Sequence, residues 1–175
     1  YYGMITNIDH QLGRLFGRLM GEGEWDNTLV IYTSDHGEHL GDHGDAGKTT
    51  FCECSANVPF IVRPPKGVDV EPGRESDALI EWADILPTLC DVAKANVPND
   101  VTGKSLMPVV DGRQDIVRET LHGQIHGSHM FHDGQHKYLY FVEDGAELLF
   151  DVAQDRQDAV HLTGEKVGEM RERFK

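Results

Sequence analysis

The chain has 175 residues, of which 39% are hydrophobic and 26% are charged, and its formal net charge is −14. This length and composition are typical of one compact globular domain, or of a large unit joined to a small one. The chain lacks a basic stripe that could neutralise phosphates, which argues against a nucleic-acid-binding protein. No run of apolar residues approaches the length of a membrane span, so the sequence predicts no spanning helix.

The first half of the chain predicts an alternation of helices and buried strands. Hydrophobic residues at helical spacing predict a helix over residues 4–20, which a pair of glycines ends. The continuous apolar run at residues 28–33 predicts a strand buried on both faces of a parallel sheet, and residues 58–62 predict a second buried strand. Asp84 is the predicted N-cap of a further helix, with Pro87 in its first turn.

The second half of the chain predicts short strands followed by one helix. A turn-rich segment at residues 98–112 is predicted to connect two units. Beyond it, strands and a closing helix are predicted at residues 117–125, 137–142, 147–151 and 165–175. The sequence therefore predicts an α/β domain over residues 1–112 and a small α+β unit over residues 113–175.

The polar loop after the first predicted strand concentrates titratable side chains. These side chains are Asp35, His36, Glu38, His39, Asp42, His43 and Asp45. Ligands of open α/β sheets bind beyond the carboxyl ends of the strands, and Gly37 is predicted to let the chain turn away there. Carboxylates and imidazoles bind divalent cations, and oxygen-rich sets favour Ca²⁺, Mg²⁺ or Mn²⁺. A solvated acidic loop explains the composition equally well, but the position at a strand end favours a metal site.

The order of motifs along the chain indicates a family. The loop reads Thr33-Ser34-Asp35-His36-Gly37-Glu38, then Leu40-Gly41-Asp42-His43-Gly44, then Lys48. This segment resembles the metal-and-lysine segment of the sulfatases, within the alkaline-phosphatase superfamily. Further matching motifs are Asn7-Ile8-Asp9, Val58-Pro59, Asp84-Ile85-Leu86-Pro87-Thr88-Leu89, Gly103-Lys104-Ser105-Leu106, Lys137-Tyr138 and Leu149-Phe150-Asp151. The resemblance covers the whole chain and implies the later part of an alkaline-phosphatase-like α/β sandwich with a small C-terminal α+β subdomain.

The resemblance also implies a reaction and roles for four residues. It implies hydrolysis of a small-molecule or carbohydrate sulfate ester by a formylglycine nucleophile, beside a divalent metal that is most often Ca²⁺, with Mg²⁺ or Mn²⁺ as alternatives. Asp35 and His36 are then metal ligands, and Lys48 is a catalytic and substrate-binding residue that contacts a sulfate or bridging oxygen. His122 resembles a histidine of bacterial arylsulfatase-like members, which implies either substrate contact or a structural role.

Some motifs of the family are missing from the chain. The sequence contains no Cys/Ser-x-Pro/Ala-x-Arg motif for the formylglycine and no early pair of metal-binding aspartates, and it starts with Tyr1 inside an amphipathic pattern. We therefore expect a C-terminal part of a longer protein, inactive alone, whose nucleophile lies upstream. Alternatives are a phosphodiester or phosphonate monoester hydrolase of the same superfamily and a non-catalytic module that binds sulfated sugars. A homo-oligomer and either a periplasmic or a cytoplasmic location stay open.

The remaining polar and aromatic residues have simpler predicted roles. The aromatic side chains of Phe51, Phe60, Trp25 and Trp82 are predicted core residues. His39 and His43 either orient metal ligands or are exposed, and His129, His132 and His136 are predicted polar positions on antiparallel strands. Cys52 and Cys54 could hold a metal, but buried free thiols are the favoured interpretation. The segment 154–158 replaces a family Asp-Pro-x-Glu motif, and we expect no consequence for the chemistry.

Overall fold

A computed structural model describes all residues from Tyr1 to Lys175. The helices are α1 (Tyr2–Gly21), α2 (Glu53–Ala56), α3 (Ile85–Ala93), α4 (Met107–Val110) and α5 (Glu165–Phe174). The strands are β1 (Val30–Thr33), β2 (Phe60–Arg63), β3 (Leu121–Ile125), β4 (Ser128–His132), β5 (His136–Phe141) and β6 (Glu147–Asp151). None of the helices combines the length and the apolarity that crossing a bilayer requires.

The chain separates into two compact units, and the first contains residues 1–32 and 60–69. Its two strands form a sheet of their own, in the order β1-β2. Arg63 holds this unit together, because its guanidinium donates to the carbonyl oxygens of Trp25 and Thr28 and lies 4.0 Å from the centre of the Trp25 ring. The prediction that β1 is buried on both faces is wrong: its residues are half-buried and Tyr32 is exposed. A sheet of two strands has too few neighbours to cover both faces.

The second unit contains residues 33–59 and 70–175. Its centre is an antiparallel sheet in the order β3-β4-β5-β6, in which each strand pairs with the next along the chain. One face packs against helix α5 through the side chains Phe131, Tyr138, Leu149 and Met170. The other face packs against Phe51 through Met130, Leu139 and Phe150. The predicted strand at 147–151 is confirmed with the same bounds, the strand at 137–142 is shifted by one residue, and the strand at 117–125 and the helix at 165–175 are shorter than predicted. The range of β4 was not predicted, although His129 and His132, which it contains, were predicted on antiparallel strands. The domain division predicted at residue 112 stays a prediction.

The buried carboxylate of Asp84 organises the corner before helix α3. It accepts hydrogen bonds from two nitrogens of Arg118, at 2.5 and 2.8 Å, and from the backbone N–H groups of Glu81 and Lys104. With Glu81 it forms a capping box on the short 3₁₀ turn Trp82–Asp84, and helix α3 itself begins without a side-chain cap. Asp84 therefore occupies the predicted N-cap position of α3, but its side chain caps the preceding 3₁₀ turn instead of α3. Trp82, a predicted core residue, is 54% exposed.

The Gly-Lys-Ser-Leu turn packs directly on this corner. A Cβ atom at Gly103 would lie 1.9 Å from the carbonyl oxygen of Ala83, so only glycine fits there. The buried hydroxyl of Thr88 donates to the carbonyl oxygen of Asp84 and accepts the backbone N–H of Leu106. Both motifs therefore have structural roles at this corner.

Candidate active site

The loop that directly follows β1 brings three of the predicted site residues together. Nε2 of His36 lies 3.4 Å from Oδ2 of Asp35 and 2.6 Å from Nζ of Lys48. The backbone N–H of His36 also donates to Oδ1 of Asp35, at 3.1 Å. The carboxylate of Asp35 and the ammonium of Lys48 thus lie beside the same imidazole nitrogen of His36. Lys48 reaches this position although it is twelve residues from His36 in the chain.

The hydrogen bonds of His36 select its tautomer. Nδ1 lies 2.7 Å from the carbonyl oxygen of Gly37, which can only accept a hydrogen bond, so Nδ1 carries the proton. Nε2 then carries no proton, and in this structure its lone pair accepts a hydrogen bond from the ammonium of Lys48. This is the tautomer that a metal ligand needs when its other ring nitrogen is held by a carbonyl group.

Asp35 and His36 fit a divalent cation as part of its ligand set. The side chain of Asp35 is 73% exposed and that of His36 is 36% exposed, so both can reach an ion from solvent. A carboxylate oxygen and an imidazole nitrogen suit Mn²⁺, and the carboxylate suits Ca²⁺ and Mg²⁺. The chain contains no group of three or more His, Cys, Asp or Glu side chains that could hold a metal ion.

Gly37 fits the loop against helix α2. Its backbone N–H donates to the carbonyl oxygen of Ser55 at 2.8 Å, and the N–H of Glu38 donates to that of Cys54 at 3.0 Å. A Cβ atom on Gly37 would lie 2.0 Å from the carbonyl oxygen of Cys54. Glycine is required here by this close approach of two backbones and not by the sharp turn that the sequence suggested.

His39 is a buried organiser of the same loop. Its side chain is only 1% exposed, its Nε2 lies 2.9 Å from the hydroxyl of Thr50, and its Nδ1 lies 3.3 Å from the sulfur of Cys54. The exposed alternative for His39 is therefore wrong. Burial raises the pKa of the Cys54 thiol, with a further contribution from Cys52, so this sulfur stays protonated and is a poor metal ligand.

His122 lies apart from these residues. It is an exposed residue of β3, directly opposite Phe131 on β4, and the two rings meet edge to face with their centres 5.0 Å apart. This is the face of the sheet that packs against α5, whereas Phe51, three residues beyond Lys48, packs on the opposite face. No hydrogen bond joins His122 to Asp35, His36 or Lys48, and its role in substrate contact stays a prediction.

Comparison with known proteins identifies the family of the chain. The sequence model of the Sulfatase family matches residues 1–95. The chain belongs to the sulfatase family. An arylsulfatase from Clostridium perfringens is 37% identical over 171 residues, which cover 93% of this chain and 35% of that protein. The multifunctional alkaline phosphatase superfamily protein PehA from Trinickia caryophylli is 34% identical, over 85% of this chain and 29% of that protein.

Solved structures confirm the predicted fold class. The chain resembles the structure of a protein in complex with its substrate D-glucosamine-2-N,6-O-disulfate, with a TM-score of 0.84, 27% identity and coverage of 96% of this chain and 37% of the other. It also resembles the phosphonate monoester hydrolase of Agrobacterium radiobacter, with a TM-score of 0.77, 33% identity and coverage of 92% and 36%. The sulfatase chain described here spans roughly a third of the length of its curated relatives.

The sulfatase motif Lys-Tyr carries an ion network that the sequence did not predict. Nζ of Lys137 lies 2.5 Å from Oδ2 of Asp158 and 2.7 Å from Oε1 of Glu53, and the lysine is 1% exposed. Asp158 is buried and occupies the segment that departs from the family Asp-Pro-x-Glu motif. This contact was not anticipated from the sequence, and the expectation that the segment has no consequence for the chemistry stays a prediction. The only sequence signal was a lysine inside the apolar strand β5.

Proposed function

We propose that this chain is part of a metal-dependent sulfuric ester hydrolase. The observation that carries the proposal is the meeting of Asp35, His36 and Lys48 in the loop after β1, within a chain of the sulfatase family. A divalent cation, Ca²⁺ in preference to Mg²⁺ or Mn²⁺, would be held by a carboxylate oxygen of Asp35 and by Nε2 of His36. When bound, such an ion supplies positive charge that stabilises the oxygens of a transferring sulfuryl group.

The chain's own residues have separable tasks in this proposal. The carbonyl oxygen of Gly37 holds the proton of His36 on Nδ1 and so keeps Nε2 available. Lys48 places an ammonium at the same point, where it can contact a sulfate oxygen or the bridging oxygen. Both positive centres offset the net charge of −14, which otherwise repels an anionic substrate. The nucleophile, a formylglycine, is proposed to come from a part of the protein outside residues 1–175.

The proposed substrates are sulfate esters of carbohydrates. An N-acetylglucosamine-6-O-sulfatase from Bacteroides thetaiotaomicron is 39% identical over 63% of this chain, and one similar structure holds a disulfated glucosamine. A second candidate is hydrolysis of phosphonate monoesters or phosphodiesters. The likeness to the phosphonate monoester hydrolase, at 33% identity, favours it specifically. Both candidates use the same three side chains, because sulfuryl and phosphoryl groups both develop charge on equatorial oxygens.

Turnover by the full-length protein that contains this chain tests the proposal. Rates with 4-nitrophenyl sulfate, a 6-O-sulfated glucosamine, bis(4-nitrophenyl) phosphate and a phenyl phosphonate monoester would be compared after purification with Ca²⁺. We expect the highest kcat/KM with a sulfate ester and its loss in Lys48→Ala but not in Lys166→Ala, an exposed lysine of α5. A preference for the phosphonate would support the second candidate. Binding of sulfated glucosamine without turnover of any ester would identify a non-catalytic binding module.

A further inference from the structure

A buried ion network lies between the C-terminal sheet and the candidate active site. Lys137 of β5 contributes the only cation, and Asp158 and Glu53 contribute two carboxylates. The side chains of Lys137 and Asp158 are almost fully buried, and that of Glu53 is 15% exposed. Glu53 is 84 residues from Lys137 in the chain and Asp158 is 21 residues from it, so the network connects distant segments.

Helix α2 connects this network to the active-site loop. Oδ2 of Asp158 accepts the backbone N–H of Glu53, the first residue of α2, at 2.8 Å. One and two residues further along the same turn, the carbonyl oxygens of Cys54 and Ser55 accept hydrogen bonds from two backbone N–H groups of the loop. Those two N–H groups belong to Gly37 and Glu38, the residues directly after His36. Hydrogen bonds at both ends, joined by the covalent backbone of α2, thus connect Lys137 to the residue that follows His36.

The energetics of the network indicate a role beyond stability. Removing charges from water is costly, and a buried ion pair often stabilises a fold no better than apolar side chains of the same volume would. This network is incomplete as well, because Oδ1 of Asp158 is buried and has no hydrogen-bond partner. Two contacts of this network, the ion pair between Lys137 and Glu53 and the hydrogen bond from the backbone N–H of Glu53 to Asp158, meet at the first residue of one short helix. Such an arrangement is suited to fixing the position of that helix.

We propose that Lys137, acting with Asp158, is a positioning residue of the sulfatase site. Its ion pairs fix the four-residue helix α2, and α2 fixes the backbone that presents Asp35 and His36. The assignment of the site itself rests on the proposed function. The C-terminal sheet then has a function in this part of the protein: it determines where the metal-binding pair sits, although none of its residues contacts that pair by a hydrogen bond.

Hydrogen exchange and metal binding in the full-length protein test this inference. Lys137→Met keeps most of the length of the side chain and removes its charge. In this variant we expect the amides of Gly37 and Glu38 to exchange about tenfold faster. We also expect the affinity for Ca²⁺ to fall about tenfold, as it does when groups that orient metal ligands are lost. The matched control is Leu149→Ala, which opens a cavity on the opposite face of the same sheet. Compared at equal global stability, adjusted with denaturant, the control should leave both measurements unchanged.

A second variant keeps the inference testable should Lys137→Met not fold. Asp158 has a left-handed backbone with φ 53°, which asparagine tolerates well, so Asp158→Asn should fold while removing one charge. We expect it to weaken Ca²⁺ binding less than Lys137→Met does. Asp158→Glu, which keeps the carboxylate, should retain more affinity than Asp158→Asn.

The possible results separate the inference from the proposed function. Faster exchange at Gly37 and Glu38 in Lys137→Met, beyond that in Leu149→Ala, supports the positioning role even if the wild-type protein hydrolyses no sulfate ester. Equal exchange and equal Ca²⁺ affinity in the two variants would overturn it, even if the wild-type protein is an active sulfatase. Absence of sulfate-ester turnover by the wild-type protein counts against the proposed function alone.

Discussion

The ammonium of Lys48 lies 2.6 Å from Nε2 of His36, at the lone pair that a metal ion would use. An ammonium and a divalent cation cannot share one lone pair, so binding of the ion requires Lys48 to move away from Nε2. In the proposed site, the freed ammonium would lie beside the ion and could contact an anionic group. The proposal therefore assigns Lys48 two effects of opposite sign, competition with the metal and attraction of the substrate.

The first prediction separates these two effects of Lys48. In the full-length protein, Lys48→Ala should lower kcat/KM for a sulfate ester by roughly 10²–10³, as for removal of one preorganised oxyanion donor. Affinity for Ca²⁺, measured by calorimetry, should stay unchanged or rise, because a competing cation has gone. Lys48→Arg should restore little activity, since a planar guanidinium cannot replace a compact ammonium. A kcat/KM for Lys48→Ala within twofold of the wild type would return Lys48 to the role of a surface residue.

The second prediction concerns the metal-binding pair. Asp35→Ala should abolish binding of Ca²⁺, because the carboxylate is the only charged ligand that this part of the site provides. His36→Asn should retain a measurable part of the affinity, since the amide oxygen of asparagine can also bind Ca²⁺. Asp45→Ala is the matched control: its carboxylate lies in the same loop and accepts only the backbone N–H of Ala46. Calorimetry that shows equal losses in Asp35→Ala and Asp45→Ala would mean that loop charge, and not a defined ligand, attracts the ion.

The third prediction concerns the contact between the loop and helix α2. Gly37→Ala should displace the loop, because the new Cβ atom would meet the carbonyl oxygen of Cys54 at 2.0 Å. Overpacking of this kind costs about 1–3 kcal/mol, and we expect a tenfold or larger loss of Ca²⁺ affinity. Gly17→Ala in helix α1, where a Cβ atom meets nothing within 4 Å, should instead stabilise the protein by about 0.5–1 kcal/mol. Wild-type affinity in Gly37→Ala would show that the loop tolerates a shift of its backbone.

The sequence predicted the loop and most of the strands because their signals are local. The range of strand β4 was not predicted, although His129 and His132 were expected on antiparallel strands. Both faces of its sheet are packed, so consecutive residues such as Met130 and Phe131 are buried on opposite faces. The alternation of apolar and polar residues that marks a half-exposed strand is therefore absent. The motif in the loop placed Asp35, His36 and Lys48 correctly as neighbours.

The buried polar residues could not be predicted because their partners are distant in the chain. His39 is buried by contacts with Thr50 and Cys54, eleven and fifteen residues away. Lys137 finds Glu53 at a separation of 84 residues. A single sequence shows a histidine in a polar loop and a lysine in a strand. Neither pattern indicates which distant hydroxyl or carboxylate is the hydrogen-bond partner of the buried side chain.

The last prediction concerns stability in acid and rests on Asp84. Burial alone would raise the pKa of this carboxyl group, but hydrogen bonds from Arg118 and from the N–H groups of Lys104 and Glu81 outweigh it and lower the pKa below its ordinary value of 3.8. The unfolded chain therefore binds a proton at this group more readily than the folded protein does. The contribution of Asp84 to stability is present above pH 3.8 and is lost as the pH falls through the lower, folded-state value.

Urea unfolding of wild type and Asp84→Asn at several pH values measures this contribution. Near neutral pH the variant should lose about 1.5–3 kcal/mol, as for hydrogen bonds to a charged group, because Arg118 would keep only the partly exposed carboxylate of Glu81 as an ionic partner. Below pH 3.8 the difference between the two proteins should shrink, since the unfolded wild-type chain takes up a proton at Asp84 there while the folded protein does so only at lower pH. Asp144→Asn, at an exposed turn where the carboxylate accepts one backbone N–H, is the control and should change stability little at any pH. A constant difference between wild type and Asp84→Asn across the acid range would show that the carboxyl group acts through its shape and not through its charge.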